Sequence, residues 1–216
     1  MGLLYGQRAL LIGALEPLTY TGTMLSTKSR DRPFERLVRT AKAQETIFLG
    51  TTEEADRILA RVRHQHDRVV GELPEDAGAH AAGTAYSAFD PDLMLWTLAV
   101  IADSGRAMYE TMVRPLSPAE REGLWRDYLR FGELFGMPRS VAPVTYQEFA
   151  GWFDDKLCSP DLHATPHALA ATHRALHHAL PRNARRGRND QFFDVVATGE
   201  RLRGGTPTPE LGARAS

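Results

Sequence analysis

The chain has 216 residues, of which 43% are hydrophobic and 25% charged, and its formal net charge at neutral pH is −1. This length and composition are typical of one soluble globular domain that buries about 70% of its unfolded surface. The near-neutral charge disfavours nucleic-acid binding, which requires a basic face. The single cysteine, Cys158, excludes an internal disulfide and any site built from several cysteines.

Helical spacing of apolar residues dominates the chain, and no segment shows sustained alternation of apolar and polar residues. We therefore predict an all-α fold with a single domain over residues 1–203. A first helix is predicted from about Gln7 to Leu15, interrupted by Pro17. A second is predicted from Phe34 to Leu49, before Gly50.

The third helix begins with a capping box, in which Thr51 and Glu54 satisfy each other's backbone N–H groups, and is predicted over residues 52–70. Residues 72–87, rich in Gly, Pro and Ala, are predicted to form a loop. Asp90 followed by Pro91 opens a long helix to about Val113. The first half of this helix is apolar on all sides, so we expect it to cross the middle of the domain.

Three later helices are predicted from their starts. Ser117 with Glu120 and Thr145 with Glu148 form capping-box pairs, and Thr165 precedes a helix-initiating proline. Residues 204–216 have the Gly, Pro and Thr composition of a disordered tail. The apolar runs at 9–15 and 93–102 are too short to cross a bilayer, and the N-terminus lacks the pattern of a secretory signal. We expect a cytoplasmic protein without a membrane span.

His66 is the most informative single residue. It falls on the apolar stripe of the third helix, four residues after Val62, whereas His64 falls on the charged face. A core-facing imidazole requires a partner, which can be a hydrogen bond within a structural core, a metal ion or a haem iron. The residues alone leave these alternatives open.

Other candidate groups have simpler explanations. The histidines at 163, 167, 173, 177 and 178 include pairs at i,i+4 spacing, which can share a metal ion, but they lack the glutamate of an H-E-x-x-H motif. The basic run at 182–188 is typical of a solvated turn. Tyr20, Met24, Tyr86 and Phe89 are equally consistent with core packing and with lining a pocket.

The order of several motifs resembles the oxygenase family that includes bacterial rubber oxygenase (latex-clearing protein) and the MpaB-type oxygenases. The resemblance extends over roughly residues 6–155. In chain order, its motifs are GQRALL at 6–11, PFERLVRT at 33–40, FLGTTEEA at 48–55, H-x-x-V-x-G from His66, YSA-x-DP-x-L-x-LW at 86–96 and RPLS at 114–117.

The resemblance implies a globin-like helical core around a b-type haem. It implies that His66 is the axial ligand of the haem iron and that Arg36, Arg39 and Thr40 act on dioxygen or substrate from the distal side. The simpler alternative for these three residues is a solvated basic face. Two positions depart from the family pattern, in which histidines often occupy the places of Glu16 and Leu98.

The resemblance further implies hydroxylation, dehydrogenation or oxidative cleavage of a hydrophobic small molecule, in a biosynthetic pathway. The expected partners are dioxygen, this substrate and possible external electron donors, without nucleic acid. Because the second histidine is replaced by Leu98, redox-neutral or peroxide-driven haem chemistry is an alternative. A non-catalytic helical haem-carrier or binding domain is the alternative outside enzymes.

Overall fold

In a computed structural model of the chain, residues 2–27 and 33–170 are described. The chain divides into two units, Met1–Ala168 and Leu169–Ser216, and the description below concerns the first unit. The predicted tail at 204–216 and the basic run at 182–188 lie outside the described residues.

The described part of the chain is predominantly helical, which confirms the predicted all-α class. A 3₁₀ turn covers Arg139–Val141, and residues 166–170 are also helical, as the predicted start at Thr165 requires. The helices are α1 (Gly2–Gly13), α2 (Pro17–Ser26), α3 (Pro33–Leu49), α4 (Thr52–His66), α5 (Pro91–Met112), α6 (Pro118–Leu134) and α7 (Tyr146–Leu157), with two short strands, β1 (Val70–Glu72) and β2 (Ala85–Ser87).

The predicted helix starts are confirmed in their cap geometry. Both reciprocal hydrogen bonds of a capping box are present at Thr51, Ser117 and Thr145, which begin α4, α6 and α7. The side chain of Asp90 accepts hydrogen bonds from the N–H groups of Asp92 and Leu93 at the start of α5. These caps are local, so the sequence determines them without help from tertiary contacts.

Helix α5 forms the centre of the main core, as its uniformly apolar first half predicts. It packs against α1 and α6, and the Trp96 side chain is almost completely buried. Trp125 of α6 is equally buried and stacks on Phe149 of α7 with ring centroids 4.0 Å apart. The aromatic side chains of three helices therefore close one core around α5.

Two sequence predictions were wrong at helix ends. Residues 17–26 form the helix α2, whereas the sequence predicts only an interruption of the first helix at Pro17. The α4 helix ends at His66 instead of continuing to 70, because Val70–Glu72 pairs with Ala85–Ser87 as an antiparallel hairpin. Part of the predicted loop at 72–87 is therefore a strand, and tertiary pairing overrides the helical spacing of the valines.

Tyr86 holds this hairpin against the rest of the unit. Its buried ring lies against Gly71 of β1 and Gly22 of α2, where a Cβ would come within 2.6 Å and 3.2 Å of the tyrosine, respectively. Leu18, Leu73 and Tyr86 share a small satellite core. The hairpin that follows His66 is thus anchored by packing on α2.

None of the helices in residues 2–27 and 33–170 combines the length and the apolar character that crossing a bilayer requires.

Candidate functional site

His66 is the last residue of α4, and two aromatic rings from distant segments flank it. Its ring centroid lies 6.0 Å from that of Phe89, at an interplanar angle of 69°, and 6.4 Å from that of Phe135. Phe89 precedes the N-cap of α5, and Phe135 is the C-cap of α6. The side chain is half-buried, so the predicted inward orientation of His66 is reproduced in part.

The imidazole of His66 has an unusual hydrogen-bonding state. Nδ1 is buried and has no hydrogen-bond partner in the structure. Burial lowers the pKa of His66 below its ordinary value, with a smaller opposing effect of the Asp67 carboxylate. The ring is therefore neutral at neutral pH, which is the form of imidazole that binds a metal.

Helices α3 and α4 are joined at Gly50 and Thr51 and contact each other, as in an αα-hairpin. Along the chain, the segments farthest from the Gly50–Thr51 connection are the first half of α3 and the last turn of α4, which contains His66. Arg39 and Thr40 lie in that half of α3, and both are exposed. The backbone of Arg36 lies one turn earlier, and its side chain lies outside the described part of the structure.

Arg63 is a neighbour of the site that the sequence analysis did not identify. Its Nη2 lies 3.5 Å from the position that a Cβ would take on Gly136, directly after Phe135. No carboxylate of the described residues forms an ion pair with Arg63. A cation at this position stabilises the C-terminal end of α6 through the helix dipole. Its i,i+3 spacing from His66 is the signal that places it on the same side of α4.

Leu98 and Glu16, where the resemblance leads one to expect histidines, are both buried. Leu98 is 4% exposed and packs toward Gly132, where a Cβ would lie 3.0 Å from the leucine Cδ2. Glu16 is 2% exposed, and its carboxylate accepts hydrogen bonds from the N–H groups of Leu18 and Thr19 at the start of α2. Leu98 is therefore a core residue, and Glu16 is the N-cap of α2.

The histidine pairs of the C-terminal quarter do not form a metal site within residues 2–27 and 33–170. No group of three or more His, Cys, Asp or Glu side chains in these ranges is arranged to hold a metal ion. His163 and His167 are exposed. The partners at 173, 177 and 178 lie outside the described residues.

A polar cluster is built on Asp103, Arg106 and Glu110 of α5. Asp103 forms ion pairs with Arg8 at 2.7 Å and with Arg106 at 2.5 Å. Glu110 bridges Arg106 and Arg121 at 2.6 and 2.8 Å. Because each carboxylate meets two guanidinium groups, the cluster joins α1, α5 and α6 and is structural.

Comparison with known proteins shows the family to which the chain belongs. Residues 1–205 match the family described as the catalytic domain of the ER-bound oxygenase mpaB/B′ and rubber oxygenase. The chain belongs to this family. The suspected resemblance is thereby confirmed, and the match extends beyond residues 6–155, over which the motifs were recognised.

Among curated relatives of this oxygenase-family chain are two mycobacterial proteins. They are the uncharacterized protein Mb2261 of Mycobacterium bovis and the uncharacterized protein Rv2237 of Mycobacterium tuberculosis, each 28% identical over 124 residues. The alignment covers 54% of this chain and 44% of each relative, so the chain spans about half the length of the curated relatives it matches. No solved structure matches this family member significantly.

The residues around His66 fit an iron–porphyrin ligand in their donor chemistry. Neutral imidazole is a common axial ligand of haem iron, and lowering of the His66 pKa by burial favours that form. The flanking rings of Phe89 and Phe135 are apolar, as a site that excludes water requires. The family member therefore offers one histidine, framed by aromatic rings, at the end of α4.

Proposed function

We propose that this chain is a haem-dependent oxygenase domain in which His66 is the axial ligand of the iron. The observation that carries the proposal is the half-buried imidazole at the end of α4, whose buried Nδ1 has no hydrogen-bond partner. Membership of an oxygenase family supports the reaction class. The haem b cofactor, the substrate and a role in biosynthesis are parts of the same proposal.

When bound, the haem would supply redox chemistry between iron and dioxygen, with electrons from an external donor. The chain's own residues would bind the cofactor and shape its surroundings. His66 would hold the iron through a ring nitrogen, and Phe89 and Phe135 would exclude water from the imidazole. Low solvent access around a metal ligand raises the strength of every electrostatic interaction at the site.

Arg36, Arg39 and Thr40 are proposed to act on the distal side. A guanidinium and a hydroxyl are hydrogen-bond donors, and donors placed where negative charge develops lower the barrier of oxygen chemistry. Their backbone lies in the half of α3 that is farthest from the α3–α4 connection. The substrate is proposed to be a hydrophobic small molecule that undergoes hydroxylation, dehydrogenation or cleavage of a carbon–carbon double bond.

A haemin titration of the purified chain tests the cofactor part of this proposal. The parent protein is expected to give a saturable Soret band that His66→Ala reduces strongly. His64→Ala is the matched control, because His64 is exposed and lies two residues away on the same helix. A Soret band that both variants retain equally would contradict the assignment of His66.

Oxygen consumption then tests the catalytic part. The haem-loaded chain with a chemical reductant is expected to consume dioxygen in the presence of a hydrophobic alkene or aromatic substrate, and Arg39→Ala is expected to slow turnover by about 10²-fold or more if Arg39 is a distal donor. Lys42→Ala is the control, since Lys42 is an exposed cation one turn further along α3.

A second candidate function is a non-catalytic haem carrier. The exposure of Arg39 and Thr40 favours it, because donors surrounded by water stabilise developing charge less than donors in a closed site. Haem binding through His66, with no turnover on addition of dioxygen or peroxide, would support the carrier. Turnover with peroxide alone would support the peroxide-driven alternative.

A further inference from the structure

The surroundings of His66 lack the group that normally orients a metal-binding histidine. Such histidines usually donate their second ring N–H to a carboxylate, a backbone carbonyl or water, and that hydrogen bond fixes the ring. The buried Nδ1 of His66 has no such acceptor. Another kind of contact must hold the ring.

Two aromatic rings contact the His66 imidazole. The ring of Phe89 meets the imidazole edge to face at 6.0 Å, and the ring of Phe135 is tilted by 36° at 6.4 Å. We infer that Phe89 and Phe135 are positioning residues, which fix the plane of the His66 imidazole by packing in place of a hydrogen-bond acceptor. This inference rests on the proposed role of His66 as an iron ligand.

Both rings are themselves held by their own segments. Phe135 packs on Phe131 at 4.8 Å, and Phe131 stacks on Phe48 at 4.9 Å with nearly parallel planes. The backbone N–H of Phe89 donates to the Ser87 hydroxyl over 3.1 Å, directly before the start of α5. A packed ring such as that of Phe135, and a ring on an anchored backbone such as that of Phe89, restrict their neighbour more than a freely rotating side chain does.

The arrangement has an electronic consequence for the ligand. A hydrogen bond from the second N–H to an acceptor makes a coordinating imidazole more basic. His66 lacks this bond at Nδ1. As an iron ligand, His66 would therefore be a weaker electron donor than a hydrogen-bonded histidine, which would raise the reduction potential of the iron.

Leucine substitutions separate the two aromatic contacts while keeping apolar volume. In the haem-free chain, ring-current shifts of the His66 ring protons in NMR spectra are expected to change in Phe89→Leu and in Phe135→Leu. Phe149→Leu is the matched control, because the Phe149 ring contacts Trp125, Tyr146 and Phe153 and makes no ring contact with His66, Phe89 or Phe135. Phe135→Tyr retains the ring and is expected to keep the parent shifts.

In the haem-loaded chain, each leucine variant is expected to weaken haemin binding by about two- to tenfold, the effect of losing one aromatic contact. The ferric electron paramagnetic resonance spectrum is expected to broaden as the imidazole plane becomes less defined. Phe149→Leu and Phe135→Tyr are expected to retain the parent affinity and spectrum.

The outcomes distinguish the inference from the proposed function. His66 ring shifts that are the same in the parent, Phe89→Leu and Phe135→Leu would overturn the inference, even if His66 binds haem. Changed shifts together with a parent-like haemin spectrum in His66→Ala would overturn the ligand role of His66 instead. Changed shifts with unchanged haemin affinity and resonance spectra would overturn positioning of the ligand.

Discussion

Oε1 of Glu16 lies 3.5 Å from Nε2 of His80, and both side chains are largely enclosed. The same carboxylate accepts from the N–H groups of Leu18, at 3.3 Å, and Thr19, at 2.5 Å. The buried Glu16 carboxylate thereby connects the start of α2 with the segment between β1 and β2, which contains His80.

Glu16→Ala is expected to lower the free energy of unfolding by about 1–3 kcal/mol, because it removes a helix cap and leaves the buried N–H of Leu18 and the partly buried N–H of Thr19 unpaired. Glu16→Gln keeps one acceptor oxygen and should lose less. Urea unfolding measures both effects. Glu75→Ala, an exposed position in the same connection, is the control and should stay within about 0.5 kcal/mol of the parent. Equal losses for Glu16→Ala and Glu75→Ala would refute the buried-cap account.

Gly71→Ala is expected to destabilise the hairpin that follows the site. A Cβ at this position would lie 2.6 Å from Oη and 2.8 Å from Cζ of the buried Tyr86, so the ring must move. We expect a loss of about 1–3 kcal/mol in the free energy of unfolding. Thermal or urea unfolding provides the measurement.

Gly123→Ala is the matched control for that substitution. Gly123 lies inside α6, and a Cβ there would meet no atom within 4 Å. Alanine should therefore stabilise the chain by about 0.4–1 kcal/mol through its lower backbone entropy in the unfolded state. Destabilisation of similar size at both positions would show that the Tyr86 contact is not the cause.

Glu120 provides a prediction about pH. Its hydrogen bond with Arg114 is the main reason that the pKa of Glu120 falls from 4.5 to about 2. Because the folded-state pKa is depressed, the stabilising contribution is complete above about pH 4.5 and disappears as the pH falls through about 2. The hydrogen bonds from Ser117 also lower the pKa, so removal of Arg114 leaves part of the shift.

Arg114→Ala is therefore expected to raise the pKa of Glu120 while leaving it below 4.5. Titration of the carboxyl carbon by NMR measures this change directly. Arg126→Ala, an exposed arginine on the same helix, should leave the pKa of Glu120 unchanged. A pKa of Glu120 that is identical in the parent and in Arg114→Ala would disprove the assigned cause.

The sequence predicts the fold best where the determining interactions are local. The capping pairs that begin at Thr51, Ser117 and Thr145 are separated by three residues, and each begins a helix in the structure. Glu16 and Pro17 also form a local cap, but the proline was interpreted as a break instead of a first helical residue. The early end of α4 depends on pairing with residues 85–87, which local spacing does not reveal.

The sequence likewise predicts only part of the candidate site. The helical position of His66 follows from its spacing to Val62, and the exposure of His64 is as expected from the opposite face. Phe135 and Phe89 reach His66 from α6 and from the segment before α5, so only the tertiary fold brings them together. The distal roles of Arg36, Arg39 and Thr40 stay predictions, because they depend on a cofactor and a substrate.

The most direct test of the account is imidazole rescue of His66→Gly. The glycine variant removes the proposed ligand and leaves space for a free imidazole of the same shape. We predict that haemin added to His66→Gly gives no axial-histidine spectrum, and that millimolar imidazole restores the Soret band and resonance spectrum of the parent. A parent spectrum in His66→Gly before imidazole is added would contradict the account.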